Sequence, residues 1–452
     1  PENWTNTGWI DSLYGESYHG DHWAYAWACG DILTTFPIEF GVNTTLTFWY
    51  RAEVATHPMN LEVYVNDTLV WEEDYITNDD YEMATVYLDS FSGLKTITFD
   101  HCSGDFYGVL LDMITVTTSP IVYVDDDFNS STPGWQYTHF DVIQDGIDAV
   151  ADNGTVYVYN GTYTNNVLIN EKPIYLIGGN STSTIIDRYG NEFGIEVIES
   201  NGTYISGFTI KNTGHSGIEL VSSNNCSILN NIIYNCAVDG IFLLEANYNK
   251  ISNNEITNNG ADGIYAFAAS YCNFSGNTIG NNYYDGLYLD VGTKNILYDN
   301  DIFNNSDGLN LYYNSYSNVS ENNIYNNYDN GIYFSHSSVG RIFDNLIINN
   351  SKNGIYLEFG NFNTIYNNYF DNENNSKDTG TNTVWNISKT IGTNIVGGPY
   401  LGGNYWSDYD GVDYDGDGLG DTNLPYGPGD YLPLSTITVD INQSIQDRGF
   451  PI

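Results

Sequence analysis

Near its C-terminal end the chain carries four aspartates at the spacing of a cation loop: Asp413, Asp415, Asp417 and Asp421, in the run D-x-D-x-D-G-x-G-D. Carboxylates at positions 1, 3 and 5, with Gly418 at 6, reproduce the first half of a Ca²⁺ loop, where hard oxygen donors alternate along a tight turn. The carbonyl of Leu419 would serve at position 7 and Asp421 at position 9, while Leu424 stands where a glutamate is expected at position 12. The expectation is a structural Ca²⁺ rather than a regulated one.

A second acidic series has a wider spacing. Asp239, Asp262, Asp285 and Asp307, followed by Asn330 and Asn353, each precede a glycine. Stacked in register they would lie roughly 5 Å apart, close to the separation of the carboxyl pair in retaining glycosidases. The competing role is an Asx-Gly turn, in which the side chain bonds local backbone amides. Asn in the last two copies suits the turn better than acid–base chemistry, and cation binding along the ladder is a further alternative. A third series is aromatic: Phe242, Tyr265, Tyr288, Tyr333 and Tyr356, with Glu219 ahead of it and Asn310 interrupting it. Such a column would contact a glycan or a neighbouring subunit, or else stabilise its own sheet by ring-on-ring packing.

These series exist because the chain repeats. Glycine followed by Ile or Leu recurs at Gly194, Gly217, Gly240, Gly263, Gly286, Gly308, Gly331 and Gly354, in steps of 23 residues with one step of 22. An asparagine column (Asn231, Asn254, Asn277, Asn300, Asn322, Asn345, Asn368) and an apolar column (Ile205 to Ile365) shorten at the same rung. Three columns held in register, with period-2 alternation inside each copy, predict a stacked β-solenoid of three short strands per coil. In G-I-x-L the first and third residues after glycine should face the core, as in Ile218 and Leu220 or Leu287 and Leu289, and the residue between them should face out. The asparagines should form an internal amide ladder.

These rungs resemble the right-handed parallel β-helix of pectin-lyase-like folds and of NosD-type repeat proteins. The order strand, amphipathic helix, V-x-V-x-x-G-x-Y, I-x-L-x-G from Ile121 to Gly178 resembles the beginning of archaeal surface β-helix proteins. There the helix, expected over Phe140–Ala151, would plug the open end. The segment from Val396 to Asp421 looks like the C-terminal cap of the same proteins. The resemblance implies an all-β right-handed parallel β-helix with a C-terminal cap, in which the Ca²⁺ loop would fall; the alternating segments between turn-rich stretches before residue 119 predict an N-terminal jelly-roll-like β-sandwich. Pectate-lyase-like catalysis needs a basic residue beside an acidic cluster, and Lys211, Lys250, Lys294, Lys352 and Arg341 share no column. A copper role like that associated with NosD-type proteins finds few His, Met or Cys to serve it.

The expected organisation is a sandwich over 1–119, a cap and first turns over 120–192, regular rungs over 193–370, the C-terminal cap over 371–434, and an extended tail over 435–452. The aromatic-rich stretch from Trp4 to Trp27 would be a sugar-stacking platform or an aromatic core. In the tail, Ile437, Val439 and Ile441 alternate as a strand suited to adding onto a neighbour's sheet edge.

Composition limits the partners. With 57 acidic against 12 basic residues the net charge is −45, which argues against nucleic acid, whose phosphates require Lys and Arg. No apolar run is long enough to span a membrane. Sixteen N-x-S/T sequons occur, among them Asn43, Asn66, Asn153, Asn160, Asn201, Asn318 and Asn386, compatible with an exported glycoprotein. The start at Pro1 fits removal of a leader, and the end at Ile452 suggests a longer precursor. Cys29 and Cys102 would form a disulfide if the N-terminal strands bring them together. Cys226, Cys236 and Cys272 read as small buried residues.

The expected function is therefore non-enzymatic: an extracellular, archaeal cell-surface protein that polymerises head to tail into a sheath, surface layer or filament, with possible glycan contacts. The alternative is a carbohydrate-binding or carbohydrate-active β-helix, namely a lyase, epimerase or hydrolase.

Overall fold

The alternating segments within each copy become three short strands, and each strand hydrogen-bonds to its equivalent one copy away. This computed structural model describes residues 4–7, 10–12, 23–26, 31–40, 44–54, 56, 59–78, 80–88, 91, 93–101, 108–117, 121–136 and 138–436. The chain divides into two compact units, one formed by Pro1–Val122 with Val150–Thr155, the other by Tyr123–Ala149 with Val156–Ile452.

In the second unit three parallel sheets run the length of a solenoid, with 12, 11 and 10 strands. The first contains Tyr204–Ser206, the second Thr209–Lys211 and the third Ile218–Val221, and each recurs coil by coil. The glycine-marked register is kept throughout: Ile195 pairs with Ile218, Ile218 with Ile241, Ile241 with Ile264, and so to Ile332 with Ile355. The inward residues Ile218, Leu220, Ile241, Leu243, Leu287 and Leu289 are fully buried. No coil could shield that many apolar side chains alone, so stacking is what stabilises each one.

Two features explain the invariant residues. A Cβ at Gly308 would lie 2.5 Å from Ile324 Cγ2 and 2.6 Å from the Gly331 carbonyl oxygen, so the glycine is there because two coils touch at that corner. The asparagines form the expected ladder: the Asn254 amide N–H donates to Asn277 Oδ1 (3.0 Å), Asn277 to Asn300 Oδ1 (3.1 Å), and each Nδ2 donates to a carbonyl of the coil before. A second ladder, Asn259, Asn282, Asn305, Asn327 and Asn350, does the same at the next corner. Buried backbone groups at the turns are thus paired without water. The one-residue deletion lies at this corner: only Ser306 separates Asn305 from Asp307, where Tyr283 and Tyr284 separate Asn282 from Asp285.

The helix is shorter than expected, Ile143–Ala149, with Phe140 instead in a strand. Ile143 and Ile147 are buried, and the Lys172 ammonium donates to the Ile147 (2.7 Å) and Asp148 (3.2 Å) carbonyls, capping the helix C-terminus. At the other end Asn404 extends the asparagine ladder beyond Asn368 and Trp406 stacks on Phe370 at 4.8 Å. Fully buried Asp430 accepts from the Asn404 N–H (2.8 Å), Trp406 Nε1 (2.9 Å) and the Leu432 N–H (2.9 Å).

The first unit has two five-stranded antiparallel sheets that fit a β-sandwich. Alternation in Thr45–Ala52, Met59–Val65 and Ile97–His101 sends Phe48, Leu61, Val63 and Phe99 into one core, with Phe48 and Phe99 meeting edge to face at 5.1 Å. The Trp4–Trp27 aromatics have no described side chain other than Tyr25, which is half-buried and donates to Glu53 Oε2 at 2.6 Å.

Candidate functional site

The outer face of the third sheet presents one column in unbroken register: Leu168, Glu196, Glu219, Phe242, Tyr265, Tyr288, Asn310, Tyr333, Tyr356 and Lys377. All five aromatic residues expected to share a column do so. Phe242 and Tyr265 stack at 5.2 Å and Tyr265 and Tyr288 at 5.0 Å, while Tyr333 and Tyr356 meet at 5.3 Å with their rings tilted by 33°. The Lys377 ammonium covers the last ring at 4.0 Å. Within each run the neighbouring ring occupies a ring's face, so edges and hydroxyls are what the column offers outward. Three of the four tyrosine hydroxyls are anchored on acids: Tyr265 Oη donates to Asp290 Oδ2 (3.4 Å), Tyr356 Oη to Glu358 Oε1 (3.1 Å), and Tyr333 Oη to Glu358 Oε2. These bonds, the Tyr333 one first, hold the Glu358 carboxyl below its ordinary range.

The aspartate series forms a ladder between coils, its carboxylates accepting from the next coil's backbone rather than from the local amides of an Asx-Gly turn. The Asp262 N–H donates to Asp239 Oδ1 (3.0 Å), Asp285 N–H to Asp262 Oδ1 (2.7 Å), and Asp307 N–H to Asp285 Oδ1 (3.0 Å). Asp285 Oδ2 also accepts from Asn310 Nδ2 at 2.7 Å. Burial is the main cause that pushes Asp239 up to about 6, Asp262 to about 8 and Asp307 to about 7, with Asp285 adding to the last two and moved upward itself.

At the N-terminal end of the column lies a pair that the sequence pattern left unpaired. Glu196 and Glu219 are direct partners on adjacent strands, placing them about 4.8 Å apart at the backbone. Glu219 is 7% exposed, its Oε2 has no hydrogen-bond partner, and Phe242 follows it in the column. Burial, then Glu196 and Asp239, push its carboxyl up to about 7. Burial, then Glu192, raise Glu196, which His215 opposes. Phe193 and His215 meet at 4.4 Å between ring centres, and a cavity of about 50 Å³ is lined by Val167, Leu168, Glu192, Phe193 and Glu196. One 23-residue step back from Glu219 falls on Glu196, the signal that would have joined them.

The cation loop requires correction. Asp413 Oδ1 accepts from the Gly416 N–H (2.8 Å) and Oδ2 from the Gly418 N–H (2.7 Å); Asp417 Oδ1 accepts from the Leu419 N–H (2.8 Å) and Asp421 Oδ2 from the Tyr414 N–H (2.7 Å). The remaining Asp417 oxygen is ion-paired with Lys389. Asp413, Asp415 and Asp421 do converge, but the loop satisfies its own carboxylates and a lysine occupies the position-5 ligand. Leu419 is buried against Ile395 and Leu434. A structural Ca²⁺ is therefore not supported.

Other expected sites are dispersed. Asn66, Asn153, Asn160 and Asn201 are exposed, Asn318 and Asn386 half-buried. Cys226, Cys236 and Cys272 are buried as expected. Asn43, Cys29, Cys102, Ile437, Val439 and Ile441 lie outside the described residues.

The family described as periplasmic copper-binding protein (NosD) matches residues 141–308 and 268–411, together more than half of the chain. The chain belongs to the NosD family. That description, rather than calcium, is the one the family carries, and it places such proteins in the periplasm. No helix among the described residues is long and apolar enough to cross a membrane. Among the described residues of this NosD-family chain the donors do not fit copper. Burial pushes the Cys272 thiol up to about 11 and Cys236 to about 12, and raises Cys226, away from the thiolate a metal needs. Cys226 and Cys272 instead donate to the Ser200 and Ala246 carbonyls, both at 3.4 Å. Among the described residues the groups of three convergent donors are all aspartate, hard ligands poorly suited to copper.

A comparison with curated proteins returned no match. Among solved structures the chain is similar to the catalytic domain of a GH87 α-1,3-glucanase in complex with tetrasaccharides, at 14% identity, covering 84% of this chain and 96% of that one with a TM-score of 0.35. It is similar to the catalytic unit of the GH87 α-1,3-glucanase from Streptomyces thermodiastaticus at 16%, covering 84% and 95%, TM-score 0.35. The A-module of an Azotobacter vinelandii mannuronan C-5 epimerase is 14% identical over 53% and 92%, TM-score 0.44. Such likeness assigns no activity. The similar chains are carbohydrate-active enzymes, at 14–16% identity, so the non-enzymatic expectation is not carried forward.

Proposed function

We propose that this protein is an exported β-helix that engages a neutral polysaccharide along the outer face of its third sheet. The observation that carries this is the column held in register from Glu196 to Lys377, in which two glutamates and four tyrosines, three of them hydrogen-bonded to acids, share one face. Hydroxyl edges and carboxylates in a row are suited to the hydroxyls of an extended sugar polymer, which donate and accept repeatedly along their length. The net charge of −45 disfavours an anionic polymer. An extracellular, cell-surface location belongs to the same proposal.

Affinity electrophoresis through gels containing neutral glucans or mannans, against alginate and polygalacturonate, tests the reading. A neutral polymer should retard the protein, and replacing Tyr265 and Tyr288 together by Ala should lower that affinity at least tenfold. Retardation by the anionic polymers alone, or indifference to the double replacement, would refute it.

A further inference from the structure

We infer that Glu196 and Glu219 form a catalytic carboxyl pair that hydrolyses a glycosidic bond with retention of configuration, at the N-terminal end of the column. The inference rests on the polysaccharide reading and adds a reaction to it.

Its basis is geometric. The two residues are opposed on adjacent parallel strands, so their side chains leave the same face about 5 Å apart. This strand spacing permits the carboxyl–carboxyl separation of about 5–5.5 Å at which the second carboxylate attacks carbon directly, with no room for an intervening water. Glu219 is 7% exposed with an unpartnered Oε2. Leaving a buried carboxyl oxygen unbonded costs stability, and a ligand atom at that oxygen would remove the cost. Glu196, though not Glu219, lines a small cavity together with Glu192 and Phe193. Nothing in the solenoid requires acids here: the same column position is filled by Phe242 and Tyr265 in the next two coils.

The roles follow from the surroundings. Glu219, the more deeply buried and raised to about 7 by burial, retains its proton and is the acid; Glu196, more exposed and near His215, is the nucleophile. In the first step the Glu219 proton passes to the glycosidic oxygen as the C1–O bond breaks, and a Glu196 carboxylate oxygen bonds to C1. In the second, Glu219, now a carboxylate, takes a proton from water. The water oxygen bonds to C1 as the Glu196 ester bond breaks, restoring both side chains. One water is consumed for each bond cleaved.

The test uses the full chain with two substrate classes: neutral oligosaccharides, whose leaving group needs protonation, and p-nitrophenyl glycosides, whose leaving group does not. Glu219→Gln should lower kcat on oligosaccharides by about 10²–10⁴-fold while sparing the aryl glycosides much more. Glu196→Gln should abolish turnover of both, and unchanged thermal melting would confirm that the near-isosteric variants fold. If the wild-type protein releases nitrophenol from no aryl glycoside in an α- and β-linked hexoside panel, or either variant keeps wild-type turnover, the pair is not catalytic. Polymer binding without cleavage would sink the pair and leave the binding column standing. Cleavage of aryl glycosides without polymer binding would do the reverse.

Discussion

Replacing Asp262 by Asn should stabilise the protein, and only above acidic pH. Asp262 is 8% exposed and lies between Asp239 and Asp285 in the ladder, with Tyr265 and Tyr288 beside it. Burial, and then Asp285, raise its carboxyl from 3.8 to about 8. The folded chain therefore holds a proton that the unfolded chain has released. Stability is greatest below about pH 4, falls as pH rises toward 8 and stays reduced beyond it. At about 1.36 kcal/mol per unit the single-site ceiling is about 5–6 kcal/mol. The stacked acids titrate as a group rather than singly, so the expected gain for Asp262→Asn at pH 8 is about 2 kcal/mol, vanishing near pH 4. The amide retains the oxygen that accepts the Asp285 N–H, and the ladder already tolerates amides: Asn330 Nδ2 donates to Asp307 Oδ1 at 2.8 Å. Urea melts at pH 4.5 and 8, with hydrogen exchange of the Asp285 amide, would measure it. A variant that is less stable at pH 8, or whose effect is the same at both pH values, would refute the reasoning.

Two further predictions concern the scaffold. Asn277→Ala removes acceptors from the Asn254 backbone and side chain and leaves the Ile251 carbonyl without its donor; it should cost about 2–4 kcal/mol, read in urea melts, and a neutral effect would show that the ladder is dispensable. Gly308→Ala forces a methyl group within 2.5 Å of Ile324 Cγ2 and 2.6 Å of a neighbouring carbonyl; it should cost about 3 kcal/mol or more, whereas a wild-type melting temperature would mean that the coils part readily.

The solenoid was legible because its columns recur at one step, and a period is visible in sequence without any knowledge of contacts. The second asparagine ladder was harder to see because Cys236 takes the place of asparagine at its first position and the deletion falls beside Asn305. The cation loop misled for a different reason. Aspartate spacing reports where carboxylates stand but not whether N–H groups of the same turn already occupy them, and Lys389 reaches Asp417 from 28 residues away. Glu196 was missed although it stands one 23-residue step before Glu219, because the column was recognised by its rings and followed back no further than Glu219. The helix ran long in the reading because Phe140 and Val142 continue its apolar spacing, while the Val124–Phe140 pairing holds the first in a strand.

The corner where one residue was lost shows how this architecture tolerates change. The step from Asp285 to Asp307 is a residue short, yet Leu287 still meets Leu309 and Asn300 still meets Asn322. Each storey hangs only from those directly above and below it, so a whole storey is an exchangeable part. Gaining or losing one would alter how far a bound polymer is tracked and leave the bore of the tube as it was.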